Sequence, residues 1–442
     1  MANRSRQPCQ PRINNSSSSY LSHSDSTHSK IPKPSNRIYS TKTSSSSSKT
    51  GEFSRRIENS YYDDGDQDPP NLIGTCPFMC PLEERQRRER LRDLAVFERL
   101  HGNPAKTSPA LAVKKFCRTI SSKDMKASDV RPVPVLEDTL NYLLDLLHSS
   151  GHPFDVVHDF IFDRTRSIRQ DLSMQNIVSD QVIHMYERMV KFHIISYHHL
   201  HRSSQTPNTA SMSHLNLEQL MKALTTLFSL YEVNRASHSA SQNEAEYFSL
   251  YLLLHLSPDN QVEPLSLWFR RIPSSVMESK AMSFARRILR LFLNSLSSAC
   301  RYYRLGNYKR FISTTEEEAS YLQYCIVEPY ISEVRKLALS CISYGGYKLQ
   351  PYPVEHLSKI LLMKESDVEA LSIDCDLETS DVGTGKGLVS SKQAVINKTS
   401  KEYKYYELDS SRIERFVFTA NISENTYIKL NAMQQLLENV KL

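Results

Sequence analysis

The stretch Val182-Ile183-His184-Met185-Tyr186-Glu187-Arg188-Met189-Val190-Lys191-Phe192-His193 sets Val182, Met185, Tyr186, Met189 and Val190 at i, i+3, i+4, i+7 and i+8, with His193 at i+11. That is the period of a helix burying one face. The spacing recurs in Leu136, Leu140, Leu143, Leu144 and Leu147, in Leu217, Leu220, Leu224, Leu227, Phe228 and Tyr231, and in Ala285, Ile288, Leu289, Phe292 and Leu296. Breaks at Gly151-His152-Pro153, Thr206-Pro207 and Pro258-Asp259-Asn260 separate these runs. Consecutive amphipathic helices with short loops and no strand pattern predict an all-α fold of helix pairs stacked into a superhelix. No strict self-similarity is visible, so the array reads as degenerate and TPR-like.

Upstream, residues 71–102 predict a further helix, with Pro81 at its start, Glu83 and Glu84 near its positive end and Gly102 as its stop. Downstream of Tyr344-Gly345-Gly346 the pattern changes. Val354–Met363 and Ser366–Asp374 read as short helices, and 377–396 as a hairpin with Gly383, Gly385 and Gly387 at its middle. Helix, helix, hairpin is the order of a winged helix. The expected domains are a disordered basic Ser-rich tail (1–70), a helical superhelix (71–345), a winged helix (346–402) and a C-terminal extension (403–442).

The tail holds Ser16–Ser19 and Ser44–Ser48 and few clustered apolar residues, too few to offset the entropy of ordering. It is read either as a phosphorylatable segment for anionic partners or an import receptor, or as a solvated spacer. The net charge of +6 is concentrated there. Residues 1–60 hold 10 of the 55 Lys/Arg and 3 of the 49 Asp/Glu, leaving 45 basic against 46 acidic groups in the rest. Nucleic-acid affinity of the folded part therefore rests on uneven placement. The 8 cysteines, with a polar Met1–Gln10 and no secretory signal, point to reduced thiols in cytoplasm or nucleus. No stretch approaches a membrane span.

Three segments carry a family resemblance: Gly74-Thr75-Cys76-Pro77-Phe78-Met79-Cys80-Pro81, Phe162-Asp163-Arg164-Thr165-Arg166-Ser167-Ile168-Arg169-Gln170-Asp171-Leu172, and Gly306-Asn307-Tyr308-Lys309-Arg310-Phe311. Together they resemble the Sac-three/GANP family, also called the leucine permease transcriptional regulator family, over residues 71–370. The resemblance implies a TPR-like superhelix ending in a winged helix, which together make a PCI-type domain. It implies a non-enzymatic scaffold subunit of a nuclear transcription-coupled mRNA export complex, pairing with a second PCI-domain protein and a small acidic peptide subunit. Joined winged helices in that family form a surface for RNA. A centrosome or spindle scaffold of the same family is the alternative. This sequence has no Phe-Gly repeats before the domain, and only residues 403–442 follow the winged helix, so direct nuclear-pore and centrin binding are not expected. The acetyltransferase region of the largest animal relatives has no counterpart here.

Chemistry candidates are few. Cys76 and Cys80 form half a zinc pattern without a second pair, and packing is the better reading. His193, His198, His199 and His201 read as imidazoles at a helix C-terminus, favoured by the dipole, rather than as metal ligands. Gly383-Thr384-Gly385-Lys386-Gly387 lacks the spacer and hydroxyl residue of a phosphate loop. Neither cofactor nor metal is expected. In Asp163, Arg164, Arg166, Arg169, Gln170 and Asp171, pairs along one helix face, Asp163 with Arg166 and Arg166 with Gln170, predict a buried structural polar network rather than a catalytic one.

The strongest charge asymmetry lies further on. Residues 264–310 hold 10 Lys/Arg against Glu278, and 311–380 hold 12 Asp/Glu against 5 Lys/Arg. Arg287, Arg290, Arg301, Tyr302, Arg304, Lys309 and Arg310 are the candidate surface for RNA or an acidic partner. The competing reading is self-neutralisation, with Glu316, Glu317 and Glu318 facing the basic stretch. The predicted second winged-helix helix carries Glu365, Asp367, Glu369 and Asp374, which a DNA groove would repel, leaving protein pairing as its role.

Overall fold

The computed structural model describes residues 72–119, 126–149, 151–202, 207–237, 241–257, 264–296, 307–345, 350–382 and 385–389. The expected N-terminal tail, the extension 403–442 and the candidates Arg301, Tyr302 and Arg304 lie outside them. The described part is mostly helical.

The first helix, α1 (Leu82–Leu91), follows Pro81 and carries Glu83 and Glu84 in its first turn. It stops at Arg92, not at the expected Gly102. Arg92 is left-handed (φ 55°), Asp93 N–H returns to Arg88 C=O at 2.9 Å, and Arg88 Nε donates to Asp93 C=O at 3.1 Å. Arg92 thus takes the left-handed conformation at the helix end that glycine was expected to give. Two 3₁₀ turns (Val96–Glu98 and Leu100–Gly102) follow.

The helical body then runs through α2 (Val133–Ser149), α3 (Phe154–Gln175), α4 (Asp180–Arg202), α5 (Pro207–Ser237) and α6 (Glu244–Leu254). Two single turns, α7 (Leu265–Trp268) and α8 (Ser274–Met277), lead to α9 (Lys280–Leu296), α10 (Asn307–Glu318) and α11 (Tyr321–Gly345). The predicted apolar stripes are the core: Leu136, Leu140, Leu143, Val182, Met185, Met189, Leu220, Leu224, Leu227, Ile288 and Phe292 are all buried. Helices pack on their sequence neighbours, as α4 does on α5 and α9 on α10. The long helix α11 also packs on α4 and α6, tying the later helices to the middle of the array.

The last unit is β1 (Tyr352–Pro353), α12 (Val354–Leu361), α13 (Glu365–Asp374), β2 (Thr379–Val382) and β3 (Gly385–Leu388). The strands form an antiparallel sheet in the order β1-β3-β2, with Tyr352 opposite Leu388 and Thr379 opposite the same residue. The hairpin spans fewer described residues than expected, and β1 adds a strand that the sequence did not announce. Arg335 of α11 holds the unit to the body. It is fully buried and donates to Leu361 C=O (2.8 Å) and Leu362 C=O (2.7 Å), the free carbonyls at the end of α12.

Candidate functional site

The motif on α3 is the hub of a buried polar clamp, and its ligands come from the non-helical chain before α2. Asp171 Oδ1 accepts from Lys114 Nζ at 2.7 Å, and Oδ2 accepts from Arg131 Nε at 2.7 Å. Arg131 donates onward to Ser167 Oγ (2.9 Å) and Met79 C=O (3.2 Å). One turn on, Gln175 Oε1 accepts from Gly74 N–H at 3.1 Å while its Nε2 donates to Arg131 C=O at 2.9 Å. A second centre is Glu98, fully buried, whose Oε2 takes hydrogen bonds from Arg88, from Arg164 (3.1 Å) and from Ala95 N–H (3.0 Å). Each carboxylate faces two cations, so the chain at Met79, Arg88, Glu98, Lys114 and Arg131 is fastened to α3 by charge-assisted bonds where water is excluded.

The pairs expected along α3 itself do not form. Asp163 bonds Arg164 and Phe116 N–H, Gln170 Nε2 donates to Cys117 C=O at 2.9 Å, and Arg169 Nη2 reaches Gln219 Oε1 of α5 at 2.6 Å. Cross-segment partners win because they satisfy backbone groups that would otherwise be buried without a bond. Arg166 sits over the Phe116 ring, its guanidinium carbon 3.8 Å from the centroid.

Of the basic candidates, Arg287 and Arg290 on α9 and Lys309 and Arg310 on α10 are described and exposed, and α9 packs on α10. Glu318, at the end of α10, forms an ion pair with Arg287. The structure thus brings one acidic residue onto the basic stretch, as the self-neutralising reading requires. Among the described residues, Arg290, Lys309 and Arg310 make no ion pair.

With this geometry in view, the comparisons with known proteins are specific. The family model described as "SAC3/GANP family" matches residues 79–381, which contain the whole clamp except the Gly74 contact, both basic helices and the C-terminal unit down to β2. This chain belongs to the SAC3/GANP family. It is 36% identical over 317 residues to SAC3 family protein B of Arabidopsis thaliana, covering 70% of this chain and 18% of that protein. It is 28% identical over 348 residues to SAC3 family protein 1 of Schizosaccharomyces pombe, covering 75% of this chain and 33% of that protein. A third similarity, 28% over 276 residues, is to Protein xmas of Drosophila melanogaster, covering 60% of this chain and 12% of that protein. The chain therefore spans a third or less of the length of each of these relatives.

In this SAC3/GANP chain, burial lowers the pKa of two of the four histidines near the end of α4. His193 is buried on α4, bonded through Nδ1 to Asn216 Oδ1 at 2.8 Å, and burial with Arg169 nearby pushes its pKa down to about 3. His199 stacks on Phe154 with centroids 3.9 Å apart, and burial lowers it to about 4. His198 pairs with Glu328 of α11 at 2.8 Å, so it links helices instead of capping one. Cys76 and Cys80 are buried, Cys76 Sγ lies 3.3 Å from Phe78 C=O, and desolvation pushes the Cys80 thiol up to about 12. Among the described residues no three His, Cys, Asp or Glu side chains converge as a metal site needs. No described helix is long and apolar enough to cross a membrane.

Several organising residues gave no signal in the sequence. Glu187, buried on α4, accepts from Tyr231 Oη of α5 at 2.7 Å and from Asn243 Nδ2 at 3.1 Å, and Tyr247 Oη of α6 bonds its backbone carbonyl at 3.2 Å. Glu98, Lys114 and Arg131 belong to no periodic pattern in the sequence, and only the fold brings them to α3.

Proposed function

We propose that this SAC3/GANP chain is a non-enzymatic scaffold subunit of a nuclear complex coupling transcription to mRNA export, in which it pairs with a second PCI-domain protein and a small acidic peptide subunit. The observation that carries the reading is the C-terminal unit. Two helices followed by a hairpin, with β1 added to the hairpin in the order β1-β3-β2, are the elements a winged helix needs, and they follow the helical array α2–α11. We read the array as TPR-like and the two together as a PCI-type domain. The chemistry of the unit suits protein pairing: Leu362 and Ile373 are exposed, Ile373 to 66%, and the unit also exposes Glu365, Asp376, Glu378 and Asp381, which a phosphate groove would repel. RNA contact is assigned to the basic α9–α10 face, through Arg290, Lys309 and Arg310.

Affinity purification of the tagged protein tests the reading, with a version truncated after Gly345 beside it. The full chain should bring down a PCI-domain subunit and a small acidic subunit, and the truncated one should lose the PCI partner. Nuclear enrichment, with retention of bulk poly(A) RNA in the nucleus on loss of the protein, completes the expectation. Full recovery of the partner by the truncated form overturns the pairing surface. Spindle-pole staining without RNA retention overturns the export assignment in favour of a centrosomal scaffold.

A further inference from the structure

Within the α3 motif, Asp163, Arg164, Arg169, Gln170 and Asp171 each hold an internal hydrogen bond, and Arg166 holds none among the described residues. Its guanidinium is half-buried and fixed, sitting 3.8 Å over Phe116 and 5.7 Å from the Phe162 ring centroid, yet none of its nitrogens is sealed from solvent. A planar cation pinned on a ring by one face keeps its N–H edge for something else. Beside it stands Arg118, exposed, on the segment that supplies Phe116. The acidic groups near Arg166 are already engaged: Asp163 with Arg164 and Phe116 N–H, and Glu218 with Lys222 at 2.7 Å. The neighbouring segment repeats the device, since Lys114 N–H pairs with Met79 C=O (2.9 Å) and the adjoining Phe78, 43% exposed, lies under Arg85 at 5.5 Å.

We propose that Arg166, on its Phe116 base, and the exposed Arg118 are a docking site for an acidic segment of a partner protein, whose carboxylate is gripped by the Arg166 fork. Charge complementarity selects the occupant. The two open arginines offer donors and no acceptor, which matches a carboxylate. RNA is disfavoured here because base stacking needs a bare ring face, and Arg166 covers that of Phe116. This surface is separate from the C-terminal unit, so its failure and the failure of the pairing surface proposed above are independent.

The test uses the full chain and a fluorescein-labelled peptide alternating Glu-Asp pairs with Gly, followed by anisotropy. A counterpart with Gln and Asn in place of the acids, and a labelled uridine oligonucleotide, serve as comparisons. Replacing one gripping arginine removes a charge-assisted bond, so Arg166→Gln should weaken the acidic peptide about tenfold, and Arg118→Gln should weaken it less. Arg166→Lys keeps the charge but loses the fork, and should fall between wild type and Arg166→Gln. Arg270→Gln, an exposed arginine elsewhere, should leave peptide affinity unchanged. Equal affinity of wild type and Arg166→Gln for the peptide overturns the proposal, as does equal binding of the uncharged peptide. Loss of oligonucleotide binding with peptide binding intact assigns the site to phosphate and overturns it too. A fall in the thermal midpoint of Arg166→Gln as large as that of Asp171→Ala would make the residue structural.

Discussion

Asp171 Oδ2 lies 2.7 Å from Arg131 Nε, and neither side chain reaches solvent. Arg131 in turn holds Ser167 and Met79, so one carboxylate organises both α3 and the segment that crosses it. Removing the carboxylate strands two buried cations, Arg131 and Lys114. Asp171→Ala should lower stability by about 3–5 kcal/mol, because an uncompensated buried charge costs more than a pair contributes. Asp171→Asn keeps the shape and one acceptor and should lose less. Chemical denaturation of the three proteins checks the order; an alanine variant within 1 kcal/mol of wild type would mean that water or a rearranged partner replaces Asp171.

Gly74 approaches the chain at Val130 more closely than any side chain allows. A Cβ there would stand 2.6 Å from Val130 O and 2.9 Å from Arg131 C, both backbone atoms. Nothing flexible can give way, so Gly74→Ala should push the strand-like segment 74–76 off, breaking the Cys76 N–H bond to Val130 C=O (3.0 Å) and the Gly74 bond to Gln175. The expected loss is about 1–3 kcal/mol, the range of overpacking. Because the damage is at the edge of the clamp, limited proteolysis should show faster cleavage within 74–80 before the helices open. Unchanged cleavage there would place the cost elsewhere.

His193 sets a pH dependence whose sign follows from its burial. Its folded pKa is about 3, below an unfolded value of about 6.5. Protons therefore favour the unfolded chain: the stabilising contribution is complete above pH 6.5 and is lost as pH falls toward 3. At pH 5 the loss from this one group is about 2 kcal/mol. His199, lowered to about 4, acts in the same sense. His193→Gln should be less stable than wild type at pH 7.5 yet lose less between pH 7.5 and 5. Denaturation midpoints at the two pH values decide it, and parallel losses in both proteins would mean that His193 already carries its proton when folded.

What the sequence made legible follows the range of the interactions. Stripes such as Leu136, Leu140 and Leu143 announce their helices because a 3.6-residue period is local and survives any packing partner. The α3 motif announced its own importance, but not its partners. Its charges bond Lys114, Arg131 and Glu98, which are 57, 40 and 66 residues away and sit in irregular chain with no period to read. The strand β1 is two residues long and contains Pro353, so neither alternation nor propensity could mark it. His198 gave no sign of its partner, because Glu328 belongs to a helix far along the chain.

Arg287 and Glu318 allow the basic α9–α10 face to be tested without dismantling it. The pair is 45% and 38% exposed, so it contributes roughly 0–1 kcal/mol to stability, and Glu318→Gln should scarcely move the thermal midpoint. If the face binds RNA, the change frees Arg287 for a phosphate and removes a repelling charge. Affinity for a uridine oligonucleotide should then rise at low salt, and the dependence of log K on log salt should steepen by about 0.7, the increment for one further phosphate contact on a single strand. Arg290→Gln combined with Lys309→Gln and Arg310→Gln should shift affinity and slope in the opposite direction with the fold intact. Self-neutralisation alone predicts a different pattern, in which Glu318→Gln and the triple change both leave RNA binding and its salt slope at the wild-type value. That result would remove RNA from this face and leave the arginines as a solvated surface beside their acidic complement.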